Sequence, residues 1–316
     1  MPIQYMGSKK RVMGNILNII PNGVKSIIDV CSGSGQVSLS LANHKYDVAA
    51  NDILLFSNTL VDGYLNSTLF NISNLSLLLT EANSNTNLDK YKSHWIVELY
   101  SKRSKFLYLS NALKCAYLYE HINSNLAMIS LIEAISVRLN SQGHHNSFYT
   151  DWHIEATFPI YFEMPDYILK DSISKVYNID LTKFILPTQN YDLTYVDPPY
   201  CSRSYETYYH LYETLVQTKK NIHYIDDVVN KINMPKSIKD NKPNLFYSKN
   251  NAEAAFDKLL SNIKSKYVLI SYSDNGIIPI DNLINMAKKY GTVSGNKIEL
   301  FHYSKYINEY LILVER

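Results

Sequence analysis

An apolar strand, Ile27 to Val30, runs straight into Cys31-Ser32-Gly33-Ser34-Gly35, and Val37, Leu39 and Leu41 then open a helical pattern. Strand, glycine turn and helix in that order form the βα unit of a nucleotide-binding α/β sheet, and this narrows the fold more than any other segment does. The glycines let the backbone pass close to a ligand. A dinucleotide fingerprint would need a third glycine three residues after Gly35, where Ser38 stands instead, which tells against NAD or FAD. No G-x-x-x-x-G-K-S/T phosphate cradle occurs either. A second strand, Asp47 to Asn51, ends at Asp52, 17 positions after Gly35. An acid there can accept both ribose hydroxyls of an adenosine-containing cofactor, and it can also cap a helix.

The other organising stretch is Tyr195-Val196-Asp197-Pro198-Pro199-Tyr200. Leu193, Tyr195 and Val196 suit a buried strand. Two prolines then remove two backbone donors and forbid helix, so the chain leaves the sheet stiffly. Asp197 is thereby set at a strand's carboxyl end, where open α/β sheets place ligands. A carboxylate, carbonyls without a competing N–H and a flat ring together can grip a planar group bearing an exocyclic amine. A plain strand end with a Pro-Pro turn has the same residues, so the stretch needs the rest of the chain to decide it. Asn178-Ile179-Asp180 ends a further short strand, with Asp180 placed 17 residues before Asp197.

With 316 residues the chain has room for one large domain or two modest ones, and 46% hydrophobic content supplies a core. Net charge is only +2, so a nucleic-acid surface must be a local patch. Cys31, Cys115 and Cys201 are far apart and odd in number, with no disulfide framework and no C-x-x-C metal pattern, which fits a reducing cytosol. No signal h-region and no run long enough to span a bilayer is visible, so no membrane and no metal are expected.

From about 59 to 175 the β/α rhythm stops. A short helix is expected around Leu75–Leu79 and a polar loop over 84–89, with helical patterns across 93–120 and 126–139. Lys90, Lys92, Lys102, Arg103 and Lys105 interleave with Tyr91, Trp95, Tyr100 and Phe106. They form either a solvated helix face or a phosphate-tracking surface. Asn140-Ser141-Gln142-Gly143-His144-His145-Asn146-Ser147 is dense in amides, which can bond adenine edges in a major groove. It also suits a polar surface loop. Its paired histidines have no acid or cysteine at ligand spacing, so metal is not favoured. Beyond Tyr200, Tyr205 to Tyr212 is rich in aromatic rings. Lys219 to Lys249 holds seven Lys against three Asp and forms a long basic excursion. A helix over 252–263, a strand over 267–272, a helix over 280–290 and an antiparallel hairpin of 297–303 with 306–314 follow.

Taken in order, these motifs resemble the DNA adenine-N6 methyltransferases of the α (D12) class. Asp197-Pro198-Pro199-Tyr200 is similar to the family's catalytic D-P-P-Y. Asp29 to Gly35 is similar to its D-x-F-x-G-x-G, with Cys31 where Phe is usual. Tyr5-Met6-Gly7-Ser8-Lys9 resembles its N-terminal cofactor motif. Tyr205–Tyr212 and Ile270–Asp274 resemble later motifs. The resemblance implies a class I S-adenosylmethionine-dependent methyltransferase (Rossmann-like) α/β sheet with a terminal antiparallel hairpin, formed by 1–58 and 176–316, with 59–175 as an inserted, mostly helical target-recognition region. It implies S-adenosylmethionine as cofactor, held by Tyr5, Lys9, Asp29, Cys31, Gly33, Gly35, Asp52, Asp180 and Asp197. The reacting amine would meet Asp197, Pro198, Pro199 and Tyr200. DNA contacts are expected from Lys102, Arg103, Asn140, Gln142, His144, Asn146 and Tyr208. The partner would be double-stranded DNA whose target adenine is flipped out, with a cognate restriction endonuclease as a further candidate. A cytoplasmic, nucleoid-associated enzyme of bacterial or phage-like type, monomer or weak dimer, is the expectation. Asp197 favours adenine over N5-glutamine chemistry, which uses Asn, and N4-cytosine chemistry, which usually uses Ser. No Pro-Cys dipeptide exists for C5-cytosine chemistry. An RNA adenine methyltransferase and a silent DNA-binding module are the alternatives.

Overall fold

A computed structural model describes residues 3, 5–142, 144–167, 173–183, 185–199, 205–221, 223–224, 245–302 and 305–316. The chain divides into two compact units. A sheet unit comprises Ser8–Val61, Ser174–Ser204 and Asp240–Arg316, and a helical unit comprises Met1–Gly7, Asp62–Ile173 and Tyr205–Lys239.

The sheet unit is built on seven strands: β1 (Ser26–Asp29), β2 (Asp47–Asn51), β3 (Val176–Tyr177), β4 (Leu193–Val196), β5 (Tyr267–Ser273), β6 (Thr292–His302) and β7 (Lys305–Glu315). Their order is β3-β2-β1-β4-β5-β7-β6. The first five run parallel, while β7 is antiparallel to β5 and β6 antiparallel to β7. This is the expected α/β sheet closed by a terminal antiparallel hairpin. Strands covered on both faces read as unbroken apolar runs, and every residue of β4 is buried. Ile28, Val196 and Ile270 meet Phe256, Leu259 and Leu260 from helix Ala252–Asn262 in one core. The direction in which strands are added reverses between β1 and β4. A crevice therefore opens at their carboxyl ends, the usual ligand position of such sheets.

Both hairpin strands exceed their expected bounds. Strand β6 begins at Thr292, five residues before the expected Lys297. Ser294, Gly295 and Asn296 are all exposed on this edge strand, so no apolar alternation marks it.

In the helical unit the helices are Leu69–Ser84, Leu109–His121, Asn125–Arg138 and His210–Lys220. The first is far longer than the expected Leu75–Leu79. The Thr68 hydroxyl accepts from Asn71 N–H, and the Asn71 side chain accepts from Thr68 N–H, a reciprocal cap that fixes its start. Leu69, Phe70 and Leu77 are exposed, which blurs the periodicity a reader would use. The helix expected across 93–120 is broken. A turn at Trp95–Val97 widens into a π-helical turn, Glu98–Lys102, and regular helix resumes only at Leu109. Two amides, buried Asn111 and half-buried Asn83, fasten the extended segment over 156–162. Asn111 donates to Ala156 O and Phe158 O and accepts from Ile160 N–H, while Asn83 exchanges both bonds with Phe162.

Among the described residues, no helix is long and apolar enough to cross a membrane, and no group of three or more His, Cys, Asp or Glu could hold a metal ion.

Candidate active site

The glycine turn after β1 depends on two backbone conformations that side chains rarely adopt. Gly33 has φ of 51° and Gly35 φ of 80°, both left-handed. Helix Gln36–Asn43 starts directly from Gly35. Gly33 N–H donates to Asp52 Oδ2 at 2.8 Å, and Leu54 N–H donates to Asp52 Oδ1 at 2.9 Å. Asp52 thus joins the turn after β1 to the chain leaving β2. Of the two roles open to it, the bond from Leu54 N–H is the one at a helix entry.

Asparagine amides hold this acid in place. Asn58 Oδ1 accepts from Asp52 N–H, and Asn58 Nδ2 donates back to Asp52 O. Asn178 Nδ2 also donates to Asp52 O. Asn51, wholly buried, donates to Val30 O and Ile179 O and accepts from Ile179 N–H. One side chain therefore clips the carboxyl ends of β1 and β3, where the two-residue β3 offers few ladder bonds of its own. Sequence reasoning did not find these asparagines. An Asn immediately before a strand-end acid was the only available signal.

Asp29 is buried at the end of β1. The Ser38 hydroxyl donates to its Oδ2 at 2.7 Å, which ties the strand to the helix after the turn. Burial lifts its carboxyl to about 7 against the Ser38 bond, with the neighbouring Asp197 charge adding to the rise. The Cys31 thiol is pushed well up by burial first and by Asp52, Asp197 and Asp29 after it. Asp180 caps a short turn by accepting from Thr182 N–H, and it lines a recess with Val30, Leu181, Ile185, Leu186 and Ile263.

Asp197 leaves β4 as expected. Its Oδ2 lies 2.8 Å from the Nζ of Lys9, whose side chain is 4% exposed. Its Oδ1 is buried and has no hydrogen-bond partner among the described residues. Burial raises the Asp197 carboxyl to about 6, with Lys9 opposing the rise and Glu309 adding to it. The sheet unit thus brings Lys9, Asp29, Cys31, Gly33, Gly35, Asp52 and Asp197 to the carboxyl ends of β1, β2 and β4. Lys9 meets the Asp197 carboxylate there. Tyr200 lies outside the described residues, as do Cys201, Gly143 and most of the basic excursion over 219–249.

Tyr5 belongs to the helical unit. Its ring stacks on Tyr209 at 4.7 Å and 6°, and Tyr209 also accepts from Met6 N–H. The residues expected to meet DNA differ sharply there. Asn140 is wholly buried, with its amide donating to Tyr149 O and Asp151 O and accepting from His153 N–H, so it shapes the loop and has no free edge for a base. Gln142 and Asn146 are exposed. The His144 ring meets Tyr208 edge-on at 5.6 Å, and Tyr208 itself is buried. Lys102 and Arg103 share Glu98, at 3.2 and 3.3 Å. Lys105 donates to Thr150 O, and Lys92 pairs with Asp89. Much of the cationic cluster is therefore matched locally.

A mostly parallel sheet with a glycine turn at its switch point, a bonded acid after β2 and a buried acid before Pro-Pro define an α/β protein of the nucleotide-binding type. The chain belongs to the D12 class N6 adenine-specific DNA methyltransferases, whose family model matches residues 5–286. It is 23% identical to the type II methyltransferase M.FokI of Planomicrobium okeanokoites, across 99% of this chain and 53% of that protein. It is 26% identical to the modification methylase StsI of Streptococcus sanguinis, across 96% of this chain and 49% of that protein. With M.CviAII of Paramecium bursaria Chlorella virus 1 the identity is 21%, across 92% and 89% of the two chains. The chain spans about half the length of M.FokI and StsI.

Proposed function

We propose that this chain moves a methyl group from S-adenosylmethionine to N6 of an adenine flipped out of duplex DNA, as the modification enzyme of a restriction-modification system or as an orphan methylase. The observation that carries this is Asp197. A buried carboxylate oxygen without a donor is an unmet need in a folded protein, and an arriving amine N–H meets it. The carbonyls of Pro198 and Pro199 follow on a stretch that has no N–H of its own.

The residues after β1, β2 and β3 fit the cofactor. Gly33 and Gly35 leave no Cβ over the turn, Asp52 offers a held carboxylate to ribose hydroxyls, and Asp180 stands beside a small apolar recess against which a purine edge would rest. When bound, S-adenosylmethionine supplies a methyl group on a positively charged sulfur. Asp197, ionised above its midpoint of about 6, accepts from the amine N–H and draws the nitrogen lone pair out of conjugation with the ring. It thereby orients an acceptor and has no need of strong basicity. Tyr200 would form the stacking platform for the flipped base, and residues 59–175, with Gln142 and Asn146, the part that reads the DNA word.

The test is to incubate the chain with S-adenosylmethionine and a pool of duplex DNA and to map N6-methyladenine by methylation-sensitive sequencing. The expected result is methylation of adenine in one short word. Transfer to RNA alone, or none to DNA, overturns the proposal.

A further inference from the structure

A second acid lies beside Asp197 that no motif marks. Glu309 sits on β7, directly opposite Ser273 of β5 and diagonal to Ser271, two residue pairs along on the same face. It is 5% exposed. Its Oε1 accepts from the Ser271 hydroxyl at 2.8 Å and lies 3.5 Å from the Lys9 ammonium, whose other carboxylate neighbour is Asp197. A glutamine could accept the Ser271 bond equally well. Burying an acid in this place carries a desolvation cost that a merely structural role would not require.

We propose that Glu309 is a positioning residue for methyl transfer, holding Lys9 between two carboxylates so that Lys9 engages Asp197 through Oδ2 alone and Oδ1 stays open to the acceptor amine. Two carboxylates against one ammonium also leave the cluster with an unbalanced negative charge. That charge favours the positive charge that gathers on N6 as the carbon–nitrogen bond forms and the carbon–sulfur bond breaks, its electron pair staying on sulfur and the surplus N6 proton leaving afterwards to solvent. The inference rests on the function proposed above. Among the described residues, the charged and titratable groups facing Asp197 are Lys9, Glu309, Asp29, Tyr195 and Cys31. Of these, Lys9 and Glu309 act in opposite directions on its carboxyl.

Glu309→Gln keeps the shape and the Ser271 bond while removing the charge. Carboxyl carbon NMR of the chain without cofactor follows the Asp197 titration directly, with Asp197→Asn assigning the signal. We expect the Asp197 midpoint to move to lower pH in Glu309→Gln, because the like charge that opposes its ionisation is gone. On duplex DNA with S-adenosylmethionine, kcat should fall about tenfold while KM for DNA stays within about twofold, and the acid limb of the rate profile should move to lower pH. Ser271→Ala, which keeps both charges, should show a smaller fall and an unmoved acid limb. An active wild type together with an unmoved Asp197 midpoint and acid limb in Glu309→Gln overturns the role of Glu309. A wild type that transfers no methyl to DNA overturns the proposed function and with it this role, even if the midpoint moves.

Discussion

In the sheet unit an ammonium and several carboxylates (Lys9, Asp197, Glu309 and Asp29) lie out of solvent as neighbours. Among the described residues of the helical unit the buried polar side chains are amides, imidazoles, hydroxyls and two acids, Glu133 and Glu213. Asn83 and Asn111 bond to backbone, while the His145 ring accepts from Leu211 N–H and the His210 ring bonds to His145 O. Its cations stay outside and pair with acids at the surface. Buried neutral amides stabilise because they replace water's hydrogen bonds one for one. Buried charges seldom stabilise in net terms. The sheet unit gathers opposite charges as neighbours, whereas the helical unit's buried acids, Glu133 and Glu213, accept from neutral side chains, Tyr64 and Gln217.

The sharpest way to break this contrast is Asp197→Ala. Transfer should fall roughly a thousandfold in a single-turnover assay, while cofactor affinity changes much less. Retained transfer would remove chemistry from the sheet unit altogether.

Next in size is Asp52→Asn. Loss of the charge should weaken S-adenosylmethionine binding by roughly ten- to a hundredfold in calorimetry, the worth of a charge-assisted hydrogen bond. An unchanged dissociation constant would make Asp52 a purely structural link between Gly33 and Leu54.

The helical unit is tested by acid. Burial lowers His210 from 6.5 to about 4 and takes His145 well below its usual value, with the His210 and His144 charges adding to the latter. Because the folded values lie below the unfolded ones, the unfolded chain binds more protons once pH falls under 6.5. Stability is therefore complete above that pH and drains away as pH drops toward 4. For His210 alone the loss at pH 5 is about 2 kcal/mol, and denaturant titrations at pH 7 and 5 measure it. A His210→Phe chain should lose less between the two. Equal losses would show that the imidazoles are not the acid-sensitive groups.

The smallest effect should come from Lys102→Ala. DNA affinity is expected to fall steeply with salt, but Lys102 already faces Glu98, so its removal should change the salt slope by less than about one ion. A larger change would mean that Glu98 gives Lys102 up to the phosphates.

The sheet was legible in the sequence where apolar runs met turn chemistry. Ile27–Val30 into Gly33 and Gly35, Val48–Ala50 into Asp52, and Tyr195–Val196 into Pro198 all announced themselves. Edge strand β6 and helix Leu69–Ser84 were less visible, because exposed residues on them break the expected periods. The charged half of the site was partly hidden for a different reason. Glu309 lies far along the chain from both Lys9 and Asp197, and only the β5–β7 register brings it beside them. Nothing local distinguishes that acid from Glu315 at the end of the same strand, which is exposed. The Asn140 amide shows the converse. An amide-rich loop looked like a reading surface, yet its first amide holds the loop together.

The Asn51 clip bears on how such a chain tolerates insertions and deletions. Residues 51 and 179 are fastened to each other, so the long stretch between them leaves and re-enters the sheet at one point. Each doubling of such an excursion changes its closure cost by only about 0.6 kcal/mol. Segments between β2 and β3 can thus be lengthened, trimmed or exchanged while the sheet keeps its register.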